Sequence, residues 1–205
     1  LLPRANKARG LVFDKEEHLA LVDAGEPAYL LDFSDNRPDP CTAKNSARYL
    51  REGEDQGLHQ RYKCRIREPW YRVPVVAPGD LLLSKRSHRF PRLIRNEALV
   101  VTTDTIYRGS MINGACPEAL TASFHNTLTL LSSELQGRSF GGGVLELVPS
   151  EIARLTVLVP SGFGRHLTHL DQLVRARGAN SEDLVEETDR LLVGCGLGPF
   201  GELLE

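Results

Sequence analysis

The residues best suited to chemistry lie in one run, Arg65-Ile66-Arg67-Glu68-Pro69-Trp70-Tyr71-Arg72-Val73-Pro74, where cationic and aromatic side chains interleave. Arg and Lys neutralise phosphates, and an Arg can also take a guanine edge through two parallel hydrogen bonds. Trp and Tyr can stack on an exposed base or lean against a sugar. The bland alternative makes Trp70 and Tyr71 core residues of a small sheet; the cluster as a set points to nucleic acid. A second run, Ser84-Lys85-Arg86-Ser87-His88-Arg89-Phe90-Pro91, reads as a polar hairpin tip suited to phosphate or groove contacts, with a merely solvated turn as the alternative. A third, Gly137-Arg138-Ser139-Phe140-Gly141-Gly142-Gly143, offers three consecutive glycines. They follow a predicted helix and open a strand, whereas phosphate loops follow a strand and open a helix. This run is therefore read as a loop against the basic surface, with Arg138 in reach of a polyanion. The candidate binding residues are Lys63, Arg65, Arg67, Trp70, Tyr71, Arg72, Lys85, Arg86, Arg89 and Arg138.

Other chemistry finds little support. His166 and His169 sit three apart on a predicted helix with no evident third ligand, so a solvated helix face is expected rather than a metal pair. Cys41, Cys64, Cys116 and Cys195 are scattered, without the close pairs of zinc sites, and read as reduced thiols of a cytoplasmic protein. There is no Gly-x-Ser-x-Gly elbow and no Gly-Lys-Ser/Thr. Acids are too sparse among the cations to gather Mg²⁺. No catalytic, cofactor or metal residue is expected. No run of about 18 apolar residues suggests a membrane span.

Charge supports the first reading. The net charge of −2 hides a strong asymmetry. Residues 61–95 hold ten Lys or Arg against Glu68 and Asp80, while residues 178–205 hold seven acids against Arg190. A basic stripe in a balanced chain is the footprint of a polyanion site.

The elements that must position these residues follow from patterning. The alternation Arg61-Tyr62-Lys63-Cys64-Arg65-Ile66-Arg67 predicts a strand with four cations on one face. Short strands are also predicted over 28–33, 81–84, 92–95, 99–102, 105–108, 144–148 and 155–159. Asp35-Asn36-Arg37-Pro38-Asp39-Pro40 is a loop, and Thr42 caps a helix running to about Glu52. Residues 117–136 predict one central helix that packs Leu120, Phe124, Leu128, Leu131 and Leu135 on the sheet. Residues 166–177 and 181–192 predict two amphipathic helices. The expected class is α+β: mixed, mostly antiparallel small sheets, a central packing helix and a C-terminal helical tail. Residues 1–160 form the recognition domain and 161–205 a helical extension. Leu1 reads as an internal position of a longer protein.

The run from Arg61 to Pro74 resembles gamma-type N6-adenine DNA methyltransferases of restriction–modification systems, in the region after their catalytic domain. The order downstream is similar: strands carrying Asn96, then Phe124-His125-Asn126-Thr127-Leu128-Thr129, where the family often has Asn-Ser. Glu134-Leu135-Gln136-Gly137-Arg138-Ser139-Phe140-Gly141-Gly142-Gly143-Val144-Leu145-Glu146-Leu147 follows, then Pro149-Ser150-Glu151 and a segment ending at Pro160. The resemblance covers roughly residues 1–160, and the tail departs from it. It implies a target-recognition region beside a doubly wound domain that moves a methyl group from S-adenosylmethionine to adenine N6. The family's Asn/Asp/Ser-Pro-Pro-Tyr/Phe tetrapeptide does not occur here, nor does its cofactor-binding glycine turn. The expected function is therefore sequence-specific recognition of double-stranded DNA, the adenine being flipped into the missing methyltransferase domain. Alone, the chain is expected to be inactive. The rival expectation is a protein-interaction or assembly domain without direct DNA contact; an autonomous nuclease or transferase is a weaker third.

Overall fold

The computed structural model describes residues 1–33, 41, 43–74, 77–178 and 181–196. The predicted loop 35–40 and the predicted cap Thr42 lie outside them. The chain divides into two compact units, residues 1–28 with 78–205, and residues 29–77. In chain order the elements are β1 (Val12–Phe13), α1 (Lys15–Asp23), α2 (Lys44–Asp55), α3 (Tyr62–Arg65), β2 (Leu81–Ser84), β3 (Arg86–Ser87), β4 (Leu93–Asn96), β5 (Ile106–Gly109), α4 (Pro117–Ser123), α5 (Thr127–Gln136), β6 (Arg138–Phe140), β7 (Val144–Glu146), α6 (Pro149–Ile152), α7 (Leu167–Arg177) and α8 (Glu182–Val193). The class is α+β.

The larger unit holds two sheets. The first has the order β1-β4-β2-β5, antiparallel except for the β1–β4 pair. Its central strands β2 and β4 are buried on both faces, which is why they read as apolar runs rather than alternations. One face carries Leu82, Ile94 and Ile106 against Leu2 and Phe13; the other carries Leu81, Leu83 and Leu93 against Phe124. The second sheet, β3-β7-β6, is antiparallel. Residues 85–92 do connect two antiparallel strands, as the predicted hairpin tip requires, but Arg86 and Ser87 inside that connection form β3 and pair with β7.

The expected single helix over 117–136 is two helices. Asn126 has extended backbone and caps α5: its Oδ1 accepts from Thr129 N at 2.9 Å, and its Nδ2 donates to the Ser123 carbonyl at 2.6 Å. A short polar side chain that bonds nearby backbone competes with the helical ladder and ends it. The break changes which face of α5 points inward. Thr129, Ser132 and Ser133 are buried, while Leu131 and Leu135 are 54% and 73% exposed. Phe124 is buried as predicted.

Other expected strands are absent for local reasons. At 99–102, the buried Asn96 side chain closes a turn, accepting from Val100 N and donating to its carbonyl at 3.0 Å each, and Leu99 adopts φ 50°. Residues 155–159 form no strand: Thr156 N donates to Ser132 Oγ at 2.9 Å, and Val157 and Val159 are exposed. Residues 28–33 form no strand.

Helices α7 and α8 bury Leu167, Leu170, Val174, Leu184 and Leu192 with Leu11, Phe90 and Phe163 in one cluster. Polar stitches reinforce that packing. Asp171 Oδ1 accepts from Leu11 N and Val12 N at 2.6 and 3.0 Å, and Arg175 bridges Asp171 and the buried Glu17 at 2.7 and 3.2 Å. Among the described residues no helix is long and apolar enough to cross a membrane.

Candidate nucleic-acid interface

In the smaller unit, the predicted cationic strand is instead a helical turn. Arg61 ends the Leu58–Gln60 3₁₀ turn and leads into α3, with Cys64 N and Arg65 N both bonding its carbonyl at 2.9 Å. A strand needs a neighbour to satisfy its backbone, whereas a turn satisfies it locally. Residues two apart in a helix lie on different faces, so the four cations share no single face. Arg61, Lys63 and Arg65 are exposed, and the Arg65 guanidinium lies 5.7 Å from the Tyr62 ring centre. None of Arg61, Lys63 and Arg67 forms an ion pair among the described residues.

Arg67 is half-buried and lines a pocket of about 460 Å³ with Trp70 and Tyr71. Trp70 is fixed there. Its indole Nε1 donates to Glu54 Oε1 at 3.1 Å, and its ring lies over Gly53 of α2, where a methyl group would come within 2.8 Å of Cη2. That close approach explains a glycine inside the helix, which runs on to Asp55, past the end near Glu52 expected from the sequence. Trp70 meets Tyr71 edge-on at 5.8 Å, and Tyr71 meets Phe33 likewise at 5.8 Å.

In the larger unit the candidates gather around two buried carboxylates. Glu146 sits opposite both Arg86 and Arg138 in the β3-β7-β6 register. Its carboxylate pairs with Arg86 at 3.1 Å and Lys85 at 3.5 Å. Burial pushes the Glu146 carboxyl upward, but hydrogen bonds and charge from Arg86 and Lys85 outweigh it and hold the group below its usual range. Arg138 donates to Glu151 at 2.7 Å. The Val148 backbone N–H chiefly, and Arg138 after it, keep the Glu151 carboxyl low against the opposing effect of burial. The Arg86 and Arg138 side chains nevertheless remain 64% and 62% exposed. Arg89 lies 3.8 Å from Glu182, both exposed.

Two cations of the basic stretch are spent inside the fold. Arg92 is buried and donates to the carbonyls of Ala5, Ala8 and Gly10, and burial draws its pKa down to about 10 despite Glu17 and Asp171 nearby. Arg95 bonds Glu118 at 2.8 Å. The structure thus brings Lys85, Arg86 and Arg138 together on one small sheet, and Arg67, Trp70 and Tyr71 around one pocket. Arg72 belongs to the same smaller unit and is half-buried. Sequence reasoning missed Glu146 and Glu151. An acid closing the apolar strand Val144-Leu145-Glu146 was the available signal, because a buried carboxylate needs a cation.

Gly141–Gly143 is the turn of the β6–β7 hairpin, with φ 84° and 73° at Gly142 and Gly143. These left-handed conformations explain the glycines. The turn joins two strands and opens no helix, so it does not fit S-adenosylmethionine, and no step of methyl transfer is assigned to residues of this chain. His169 pairs with Glu187 at 2.7 Å, and among the described residues no three metal-ligating side chains gather.

Residues 1–193 match the family described as Type II methyltransferase M.Eco57I, C-terminal domain. Type II methyltransferase M.AccI of Acinetobacter calcoaceticus is 22% identical over 152 residues, 72% of this chain and 27% of that protein. The chain therefore spans about a quarter of the length of this relative. No solved structure matches the chain. By the extent of the match, the chain belongs to the family of C-terminal domains of Type II methyltransferase M.Eco57I.

Proposed function

We propose that this chain is the DNA-recognition module of a restriction–modification methyltransferase that acts on adenine N6 with S-adenosylmethionine, the chemistry residing in a catalytic domain outside it. One observation carries the reading. In the smaller unit Arg61, Lys63 and Arg65 stand exposed beside an aromatic pocket, with no carboxylate engaging Arg61, Lys63 or Arg67 among the described residues. Unpaired cations bind phosphates with counterion release, and aromatic faces supply stacking. Lys85, Arg86 and Arg138 add a second, partly neutralised cationic surface in the larger unit. The test is fluorescence anisotropy of the chain on cognate and scrambled duplexes over a salt series. Steeply salt-dependent binding with a cognate preference supports the reading; indifference to DNA rejects it.

A second reading, interaction with protein, has its own observation. A groove of about 440 Å³ lined by Leu81, Leu83, Leu93 and Ile152 lies open in the larger unit, and Leu131 and Leu135 face solvent on α5. Exposed apolar surface of this kind marks protein contacts. The occupant consistent with the family is the catalytic part of the same methyltransferase, so this reading complements the first.

A further inference from the structure

We infer that the aromatic pocket of the smaller unit receives a single nucleobase that has left the DNA stack, distinct from the adenine that the proposed catalytic domain would take. The inference rests on the DNA-recognition reading and gives this pocket a ligand. Its volume is about 460 Å³, within the range of small-molecule sites. Its aromatic wall comes from Phe33, Tyr49, Trp70 and Tyr71, and its polar groups include Gln56 and Arg67.

The ring geometry selects a flat ligand. Trp70 and Tyr71 stand at 80° and Tyr71 and Phe33 at 86°, so a planar guest can stack on one face while meeting the edge of the next ring. The polar groups select a heteroaromatic one. An amide offers both a donor and an acceptor, and a guanidinium offers forked donors, the complement of a base edge. A purely aliphatic guest would cover the half-buried Arg67 without offering it a hydrogen-bond acceptor. The phosphates attached to such a base would find cations close in sequence: Cys64 lines the pocket, and its neighbours Lys63 and Arg65 are exposed. The wall is also built in advance, since Trp70 is held by Glu54 and by its packing on Gly53.

Trp70 is the single tryptophan of the chain, so its emission reports on this pocket alone. The chain is titrated with a duplex carrying one extrahelical nucleotide, with the same duplex lacking only the base at that position, and with the fully paired duplex. The expected result is quenching of Trp70 by the extrahelical base and roughly tenfold tighter binding than to the abasic duplex. Tyr71→Leu and Arg67→Gln, checked for folding by circular dichroism, should abolish the difference between the extrahelical and abasic duplexes, whatever they do to the affinity for paired DNA. Equal affinity for the three duplexes without quenching overturns the pocket but leaves the DNA-recognition reading standing. Base-dependent quenching without binding to paired duplex supports the pocket and rejects duplex recognition. Absence of binding to every duplex overturns both.

Discussion

Arg86 donates to Glu146 at 3.1 Å across the β3–β7 pair, so a cation that the sequence offers to a polyanion is already engaged within its own sheet. Lys85 shares the same carboxylate at 3.5 Å. A phosphate arriving at this surface competes with Glu146, and the site binds more weakly than its count of cations suggests.

Removing the competitor should therefore strengthen DNA binding. Glu146→Gln keeps the shape and a hydrogen-bond acceptor but removes the charge. Affinity for any duplex should rise severalfold, and the salt slope should steepen by about one to two units, as Lys85 and Arg86 become free to replace counterions. Anisotropy at several salt concentrations reads both. An unchanged slope would mean that these two cations do not meet DNA.

The broken helix makes a paired prediction about stability. Phe124→Ala should cost about 3–5 kcal/mol because its ring is buried among Leu81, Leu83 and Leu93. Leu135→Ala should change stability by less than about 0.5 kcal/mol, since that side chain is 73% exposed. Denaturant unfolding distinguishes this from a continuous helix, in which Leu135 would be as costly as Phe124.

His125 gives a pH signature. It is fully buried beside Phe90 and Phe124, and its Nε2 accepts from Leu93 N at 3.3 Å. Burial, with a smaller contribution from the charge of Arg92, pushes its pKa down to about 3. The unfolded chain protonates the same ring near 6.5. Between those values the unfolded state holds the extra proton, so stability is fully present above about pH 6.5 and declines as pH falls toward 3. From pH 6.5 to pH 5 the decline from this group is about 2 kcal/mol. His125→Gln should lack that part of the pH dependence, whatever it costs at neutral pH; parallel curves for the two proteins would contradict the assignment.

The strands β2, β4 and β5 were legible because Leu81–Leu83, Leu93–Ile94 and Ile106–Tyr107 are short apolar runs closed by turn residues. The glycine turn at 141–143 and the helices α7 and α8 were legible for similarly local reasons. The cationic alternation at 61–67 misled because a period of two fits a strand only if a partner strand exists. Leucines in the 117–136 segment continued a helical period through Asn126, whose side chain ends the helix. The binding candidates themselves were visible as residue types. Their pairing with Glu146 and Glu151 was not, because a strand register decides it.

The isolated chain should not bind S-adenosylmethionine. The hairpin turn at Gly141–Gly143 presents no helix start to a cofactor, and the Pro-Pro motif is absent. Isothermal titration with the cofactor should give no heat beyond dilution. One-to-one binding in the micromolar range would contradict the assignment of the chemistry to another domain.

The most direct test of the account removes charge from each unit separately in the full chain. One variant replaces Arg61, Lys63 and Arg65 by Gln; a second replaces Lys85, Arg86 and Arg138. Affinity for cognate and scrambled duplexes is measured over a salt series by anisotropy. The three cations of the smaller unit carry no ion pairs to carboxylates among the described residues, and those of the larger unit do. The first variant should therefore lose more affinity and flatten the salt slope by about two to three units, the second by about one. Affinity and slope unchanged in both variants would show that the basic stretch is a solvated surface and that this domain does not recognise DNA.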